Sequence, residues 1–334
     1  MPRKILFALV VILALGLLAK VALFSGPPPA RGPRPDPNGY DDIVKAAALV
    51  TTDLTAYPTM DREQLAGIIS TNSEPLRLLR LGLSRHCAVP LESHLTNLNQ
   101  FATELPGMKR LAQLIAAEGR LRELEGRSGD AALCYAQAIN LGNETGRGFI
   151  IHRLVGIACE AIGYLRLSPL ITNLSCAEAL PALAELSSLV TNRVTWDEVK
   201  RNENVFMRYE LAKSANPITW VSGWWQGREL IKASAMRHNS AVAHVSLLTL
   251  ELNLRCYRAE HGKPPATLDE LVPRYLKTLP ADPFTGKPLI YRLQGTNWLL
   301  YSVGPDGVDD GGKPAARAAV RTISKGDILY NSHW

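Results

Sequence analysis

Catalytic signatures are missing from this chain of 334 residues. There is no G-x-S-x-G elbow, no H-E-x-x-H pair, no Walker loop and no G-x-G-x-x-G turn. Those motifs carry nucleophile, zinc and phosphate chemistry, so their absence removes the commonest hydrolase, metalloprotease and nucleotide-binding readings. Cysteine is scarce: Cys87, Cys134, Cys159, Cys176 and Cys256 form no C-x-x-C and no Cys/His pair at zinc spacing. They read as small buried hydrophobes, or, in an exported domain, as two halves of a disulfide whose pair the sequence does not choose. The seven histidines are scattered, and His238 and His244, six residues apart, do not share a helix face. The chain therefore reads as a non-enzyme. A basic surface for nucleic acid is lacking too. The net charge is +6, but Arg3, Lys4, Lys20, Arg31 and Arg34 against Asp36 concentrate most of it in the first 38 residues. A nucleic-acid binder needs that charge on a folded face.

Ile5 to Phe24 is an almost unbroken apolar run, preceded by Arg3 and Lys4 and holding only Lys20. About 20 apolar residues as a helix span a bilayer of roughly 30 Å. The basic flank puts the N-terminus in the cytoplasm. The expectation is a single-pass inner-membrane anchor over 1–24, with the C-terminal body on the periplasmic side. A cleaved signal peptide is the alternative; the run is longer than the usual apolar core of one, and no A-x-A site follows. Residues 25–38, with six prolines, form a semi-rigid extended spacer.

From Tyr40 to Arg237 apolar residues recur at helical spacing, which predicts an all-α domain over 39–237. Gly119, Ala131, Tyr135 and Ala138 stand at the spacings of one tetratricopeptide unit, with the turn at Arg127–Asp130. Arg122 departs from that pattern and no second copy follows, so an ordinary antiparallel helix pair competes with it. Glu118 and Glu160 lie in separate helical segments. Trp220, Trp224 and Trp225 crowd one short stretch, as a membrane-interface or partner-docking loop or as packing between helices. Pro217 biases Asn216 away from helix and marks a break.

The C-terminal region, 238–334, changes character. Asn239 to Glu260 reads as a long helix, on which Glu251 and Arg255 pair at i, i+4. His261-Gly262 and Pro264-Pro265 end it. Thr267–Glu270 is a capping box, Pro280–Gly286 a turn, and Leu289–Leu293 with Trp298–Ser302 a β-hairpin. The second strand runs into Gly304-Pro305-Asp306-Gly307-Val308-Asp309-Asp310-Gly311-Gly312. Carboxylates with backbone carbonyls in a glycine-rich turn suit a hard cation, calcium above all. Asp309 and Asp310 are candidate ligands on that chemistry, with the carbonyls of Leu300 and Ser302 completing the shell. A solvated surface turn is the alternative.

This succession of motifs resembles the C-terminal domain of the major pseudopilin of the type II secretion system. The residues that carry the resemblance are Tyr257–Pro265, Leu268–Leu271, Leu279–Phe284, Tyr301–Gly307, Gly311-Gly312 and Asp327-Ile328. The resemblance implies a calcium-binding final loop, with Asp306 and Asp327 at the matching positions. It covers about 80 residues. A pseudopilin's peptidase site and early helical Glu are absent from 1–24, and 313–326 is longer than the pattern. The overall expectation is an α+β protein: anchor, spacer, all-α domain and a small pseudopilin-like module of helix plus antiparallel hairpin. Function is expected to be that of a non-catalytic, membrane-anchored envelope protein, with a calcium-stabilised module and a helical domain that binds an envelope or secretion-machinery protein. The alternatives are an accessory of a type II secretion or pilus-like machine, and an envelope enzyme with its site in the helical domain.

Overall fold

The computed structural model describes residues 33–213, 217–314 and 325–332, the side chains of 98–102 and 211–226 excepted. The expected anchor over 1–24 and the tryptophan side chains of 220–225 lie outside the described residues.

The described chain is mostly helical, with one small antiparallel sheet. Ten helices run in order: α1 (Gly39–Leu49), α2 (Arg62–Thr71), α3 (Ser73–Leu83), α4 (Leu91–Thr96), α5 (Leu98–Leu124), α6 (Ser128–Thr145), α7 (Ile150–Leu170), α8 (Cys176–Asn192), α9 (Trp196–Lys213) and α10 (Pro217–His261). Strands β1 (Ile290–Gln294), β2 (Asn297–Ser302) and β3 (Ile328–Leu329) follow. The first two form the expected hairpin, with Ile290 opposite Tyr301 and Gln294 opposite Asn297. The two-residue strand β3 adds to the far edge of β2, Ser302 opposite Ile328. The capping box at Thr267 opens a short 3₁₀ turn, Leu268–Leu271.

Helices α5 and α6 form the predicted hairpin. Ala131, Tyr135 and Ala138 are fully buried, and a Cβ at Gly119 would lie 2.5 Å from the Tyr135 ring. The next crossing is tighter. A Cβ on Gly142 of α6 would lie 2.3 Å from the Gly156 carbonyl oxygen of α7. Alanine gains about 1 kcal/mol over glycine in a helix interior. Overpacking a rigid backbone costs about 1–3 kcal/mol. Gly142→Ala is therefore expected to destabilise, and a rise in melting temperature would contradict this packing.

Helix α7 is the centre of the body, packed against α5, α6, α9 and α10. Among the described residues the Ile150–Asn173 helical stretch is long and apolar enough to cross a membrane, with 44% of its most apolar window buried in the fold.

Helix α10 starts at Pro217, where the sequence marked a break, and runs on without interruption through the expected start at Asn239. Its C-terminal half has two apolar faces. Val245, Leu248, Leu252 and Cys256 join the helical core with Leu167, Leu183 and Leu186. Ala243, Leu247, Leu250 and Leu254 join Leu271, Leu289, Leu300 and Ile328 in the core of the β-module. Both sets follow the three-and-four spacing of one helix face. One helix thus serves both cores. A disulfide between Cys176, the first residue of α8, and Cys256 fastens it to the helical body; their Cα atoms are 5.0 Å apart, within the normal span.

Candidate functional site

Two buried aspartates shape the glycine-rich loop. Asp282, 1% exposed, accepts the N–H of Val303 (3.0 Å) and of Phe284 (2.9 Å). Asp327, also 1% exposed, accepts the N–H of Gly312 at 2.6 Å and of Asp310 at 3.4 Å. Gly304 lets these strands meet: its φ is +71°, and a Cβ there would lie 2.5 Å from the Gly326 carbonyl oxygen. Asp309 accepts from Tyr301 Oη (2.7 Å), the Gly311 N–H (2.9 Å) and Arg292 Nη2 (2.7 Å). Those bonds, the Tyr301 hydroxyl first, hold its carboxyl below the usual carboxylate range. Burial pushes the Asp327 carboxyl up; the two N–H donors oppose this, and the charges of Asp309 and Asp310 add to it.

Of the predicted ligands, Asp309, Asp310 and Asp327 are therefore neighbours that feel each other's charge. Asp306 accepts the Val308 N–H at 3.2 Å within its own turn. Leu300 and Ser302 are buried in β2, opposite Tyr291 and Ile328, and Ser302 Oγ accepts the Gly304 N–H. Among the described residues no three His, Cys, Asp or Glu side chains already converge on a metal-sized point. Among the described residues the cation paired with Asp309 is Arg292.

A second feature is the seam between the β-module and the helical body. Glu251 of α10 accepts Arg255 Nε at 2.9 Å and Trp298 Nε1 at 2.8 Å, so the i, i+4 pair read from the sequence is present and 4% exposed at its carboxylate residue. The Arg258 guanidinium stands 4.9 Å over the Trp298 ring. Three clefts follow this seam, of about 230, 260 and 360 Å³.

Buried polar chains in the helical body had no sequence motif to announce them. Glu160 and Arg153 are both fully buried; Arg153 Nη1 donates to Glu160 Oε1 at 2.6 Å and Arg193 Nη2 to Oε2 at 2.5 Å. Burial alone would raise the Glu160 carboxyl, but the two guanidinium charges outweigh it and hold it low. Arg153 Nε donates to His238 Nδ1 at 2.8 Å, and burial with the two arginines pushes that imidazole down to about 2. His244 faces elsewhere, against the Tyr164 ring, as the six-residue spacing implied. Glu118 pairs with Arg80 and Arg122 instead, so the two glutamates noted in the sequence have separate partners.

A chain of hydrogen bonds links α7 to α4 and α5. The Phe149 N–H donates to His152 Nδ1 (3.0 Å), which leaves the proton of the neutral ring on Nε2. His152 Nε2 then donates to His94 Nδ1 (3.1 Å), and His94 Nε2 to Glu104 Oε2 (3.1 Å), which also accepts from Tyr40 Oη (3.2 Å). Burial, then the neighbouring His94, hold His152 down to about 3. Two imidazole nitrogens so close invite a metal reading, but here they are occupied by a proton-ordered bond.

Comparison with protein-family models, with curated proteins and with solved structures finds no match to this chain.

Proposed function

We propose that this is a non-catalytic, membrane-anchored envelope protein, its body on the periplasmic side of the inner membrane. The body holds a small pseudopilin-like module that calcium stabilises, and it docks a partner protein. The observation that carries this reading is the Cys176–Cys256 disulfide. Disulfides persist in oxidising compartments and are rare in the cytosol, so it supports export independently of the apolar Ile5–Phe24 run. The non-catalytic part draws support from the buried acids and bases: Arg153 donates to both Glu160 and His238 inside the body.

Calcium fits the donor chemistry of Asp309, Asp310 and Asp327; burial first raises the Asp327 carboxyl, and calcium would neutralise the Asp309 and Asp310 charges that add to it. It must compete with Arg292 for Asp309, which suits the weak affinities of extracellular modules, on the order of 10⁻⁴–10⁻³ M. Calorimetric melting in millimolar calcium against chelator tests it. The expected result is a higher melting temperature with calcium, lost in Asp327→Asn. The sign of the pH dependence is a second arm. The Asp327 carboxyl is raised in the fold, so its contribution is fully present below the ordinary carboxylate pKa and is lost as pH rises through the folded value. Calcium is expected to cancel that loss. No shift at millimolar calcium reduces the loop to a hydrogen-bonded turn held by Arg292.

A further inference from the structure

The three clefts along the seam are contiguous. Arg255 and Arg258 line both the first and the second, Tyr330 and Asn331 both the second and the third, and Thr172 both the third and the first. Each is small, but joined they reach the size of a ligand site. Their chemistry is split. The first two are cationic: Arg255 and Arg258 face a single lining carboxylate, Glu251, and both oxygens of Glu251 are already taken by Arg255 Nε and Trp298 Nε1. Arg258 has one weak hydrogen bond, to Asn297 Oδ1 at 3.4 Å, and otherwise stacks over Trp298. Among the described residues the third cleft is lined by no charged side chain; Leu165, 57% exposed, lines it beside Pro169 and Tyr330.

We infer that this seam is the docking site of an extended acidic peptide segment of a partner protein, its carboxylates on Arg255 and Arg258 and an apolar side chain beside Leu165. The inference rests on the partner-docking reading above and names the partner's chemistry. Charge complementarity selects an acidic occupant: guanidinium groups bind carboxylates in a planar fork, and among the described residues no free acidic group lines the clefts to repel them. A cationic socket joined to an apolar one favours a ligand with both groups on one backbone. A small free carboxylate fills only the first.

The test uses the full chain in zwitterionic lipid nanodiscs, with empty discs as control, and fluorescence anisotropy of a labelled peptide of alternating leucine and glutamate. The comparison peptide has glutamine in place of glutamate. The expected result is binding of the glutamate peptide at least tenfold tighter than the glutamine one. Arg258→Glu is expected to abolish that preference, and Leu165→Asp to weaken binding. Arg258→Glu leaves the Glu251–Arg255–Trp298 bonds in place and removes the exposed stacking of Arg258 on Trp298, so the variant should stay folded, with a melting temperature lower by no more than a few degrees. Equal binding of the two peptides, an unaffected Arg258→Glu variant, or full displacement by glutarate at matched carboxylate concentration would each overturn the proposal. A pull-down from membranes separates this from the broader reading: a partner captured equally by parent and Arg258→Glu keeps partner docking and sinks this site.

Discussion

Replacing Glu160 with glutamine is expected to destabilise the body by about 3–5 kcal/mol, the usual cost of removing one member of a buried ion pair. Glu160 is bonded to both Arg153 and Arg193, and it and Arg153 are wholly buried. Glutamine keeps the shape and the oxygen acceptor but leaves two guanidinium charges facing each other. Total stabilities are about 5–15 kcal/mol, so the loss removes a large share. Urea unfolding of parent and variant reads it directly. The double variant Glu160→Gln with Arg153→Met should recover part of the loss, because it also removes one of the stranded charges. A change below about 1 kcal/mol would mean that water reaches the network. This cluster and the His152–His94–Glu104 chain set the acid limit of the fold. His238 and His152 are held at about 2 and about 3, against about 6.5 unfolded. Groups lowered in this way contribute stability above the unfolded pKa, and that contribution is lost as pH falls through the folded one. Melting temperature should therefore fall from about pH 6.5 downwards, with Glu160 adding to the loss at the acid end.

Removing the disulfide should cost about 2–5 kcal/mol, as is usual for a native bridge. Cys176 and Cys256 are 80 residues apart in sequence, and closing so long a loop in the unfolded chain is worth about 4.5 kcal/mol on the chain-entropy account. Cys176→Ser and Cys256→Ser should give the same drop, and the double variant no more than either one. Reductant should act on the parent and not on the variants. Cys87, Cys134 and Cys159 do not complicate the reading: burial pushes all three thiols up to about 12, so they are inert at neutral pH. A parent protein indifferent to reductant would contradict the bridge's role.

Local features were the legible ones. The hairpin from Ile290 to Ser302, the capping box at Thr267 and the Glu251–Arg255 pair each depend on neighbours within a few residues, and turn and cap chemistry announces them. The packing of Gly119 on Tyr135 was legible for the same reason: two helices joined by a short turn must face each other. The bridge between Cys176 and Cys256 was not, because choosing a partner among five cysteines requires the tertiary fold. Strand β3 has two residues and no periodicity to detect. The unbroken α10 was hidden by Pro217, which read as a break, and by the tryptophans that follow it, which read as a docking loop or as packing between helices. The Arg153–Glu160–Arg193–His238 cluster draws on α7, the α8–α9 connection and α10; a helical arginine in the sequence looks like surface until the fold closes over it. In the acidic loop, the aspartates were visible, whereas Arg292, their competitor for a cation, sits on a strand that the motif does not include.

We propose that the body folds in an oxidising compartment, locked to its β-module through α10. The direct measurement is to quench intact cells in denaturing acid, alkylate the free thiols afterwards in denaturant at neutral to mildly alkaline pH, and map the cysteines by mass spectrometry. The account predicts Cys176 and Cys256 recovered as one linked peptide pair, with Cys87, Cys134 and Cys159 alkylated as free thiols. Cys176 and Cys256 both alkylated in cells would contradict it and return the body to a reducing compartment.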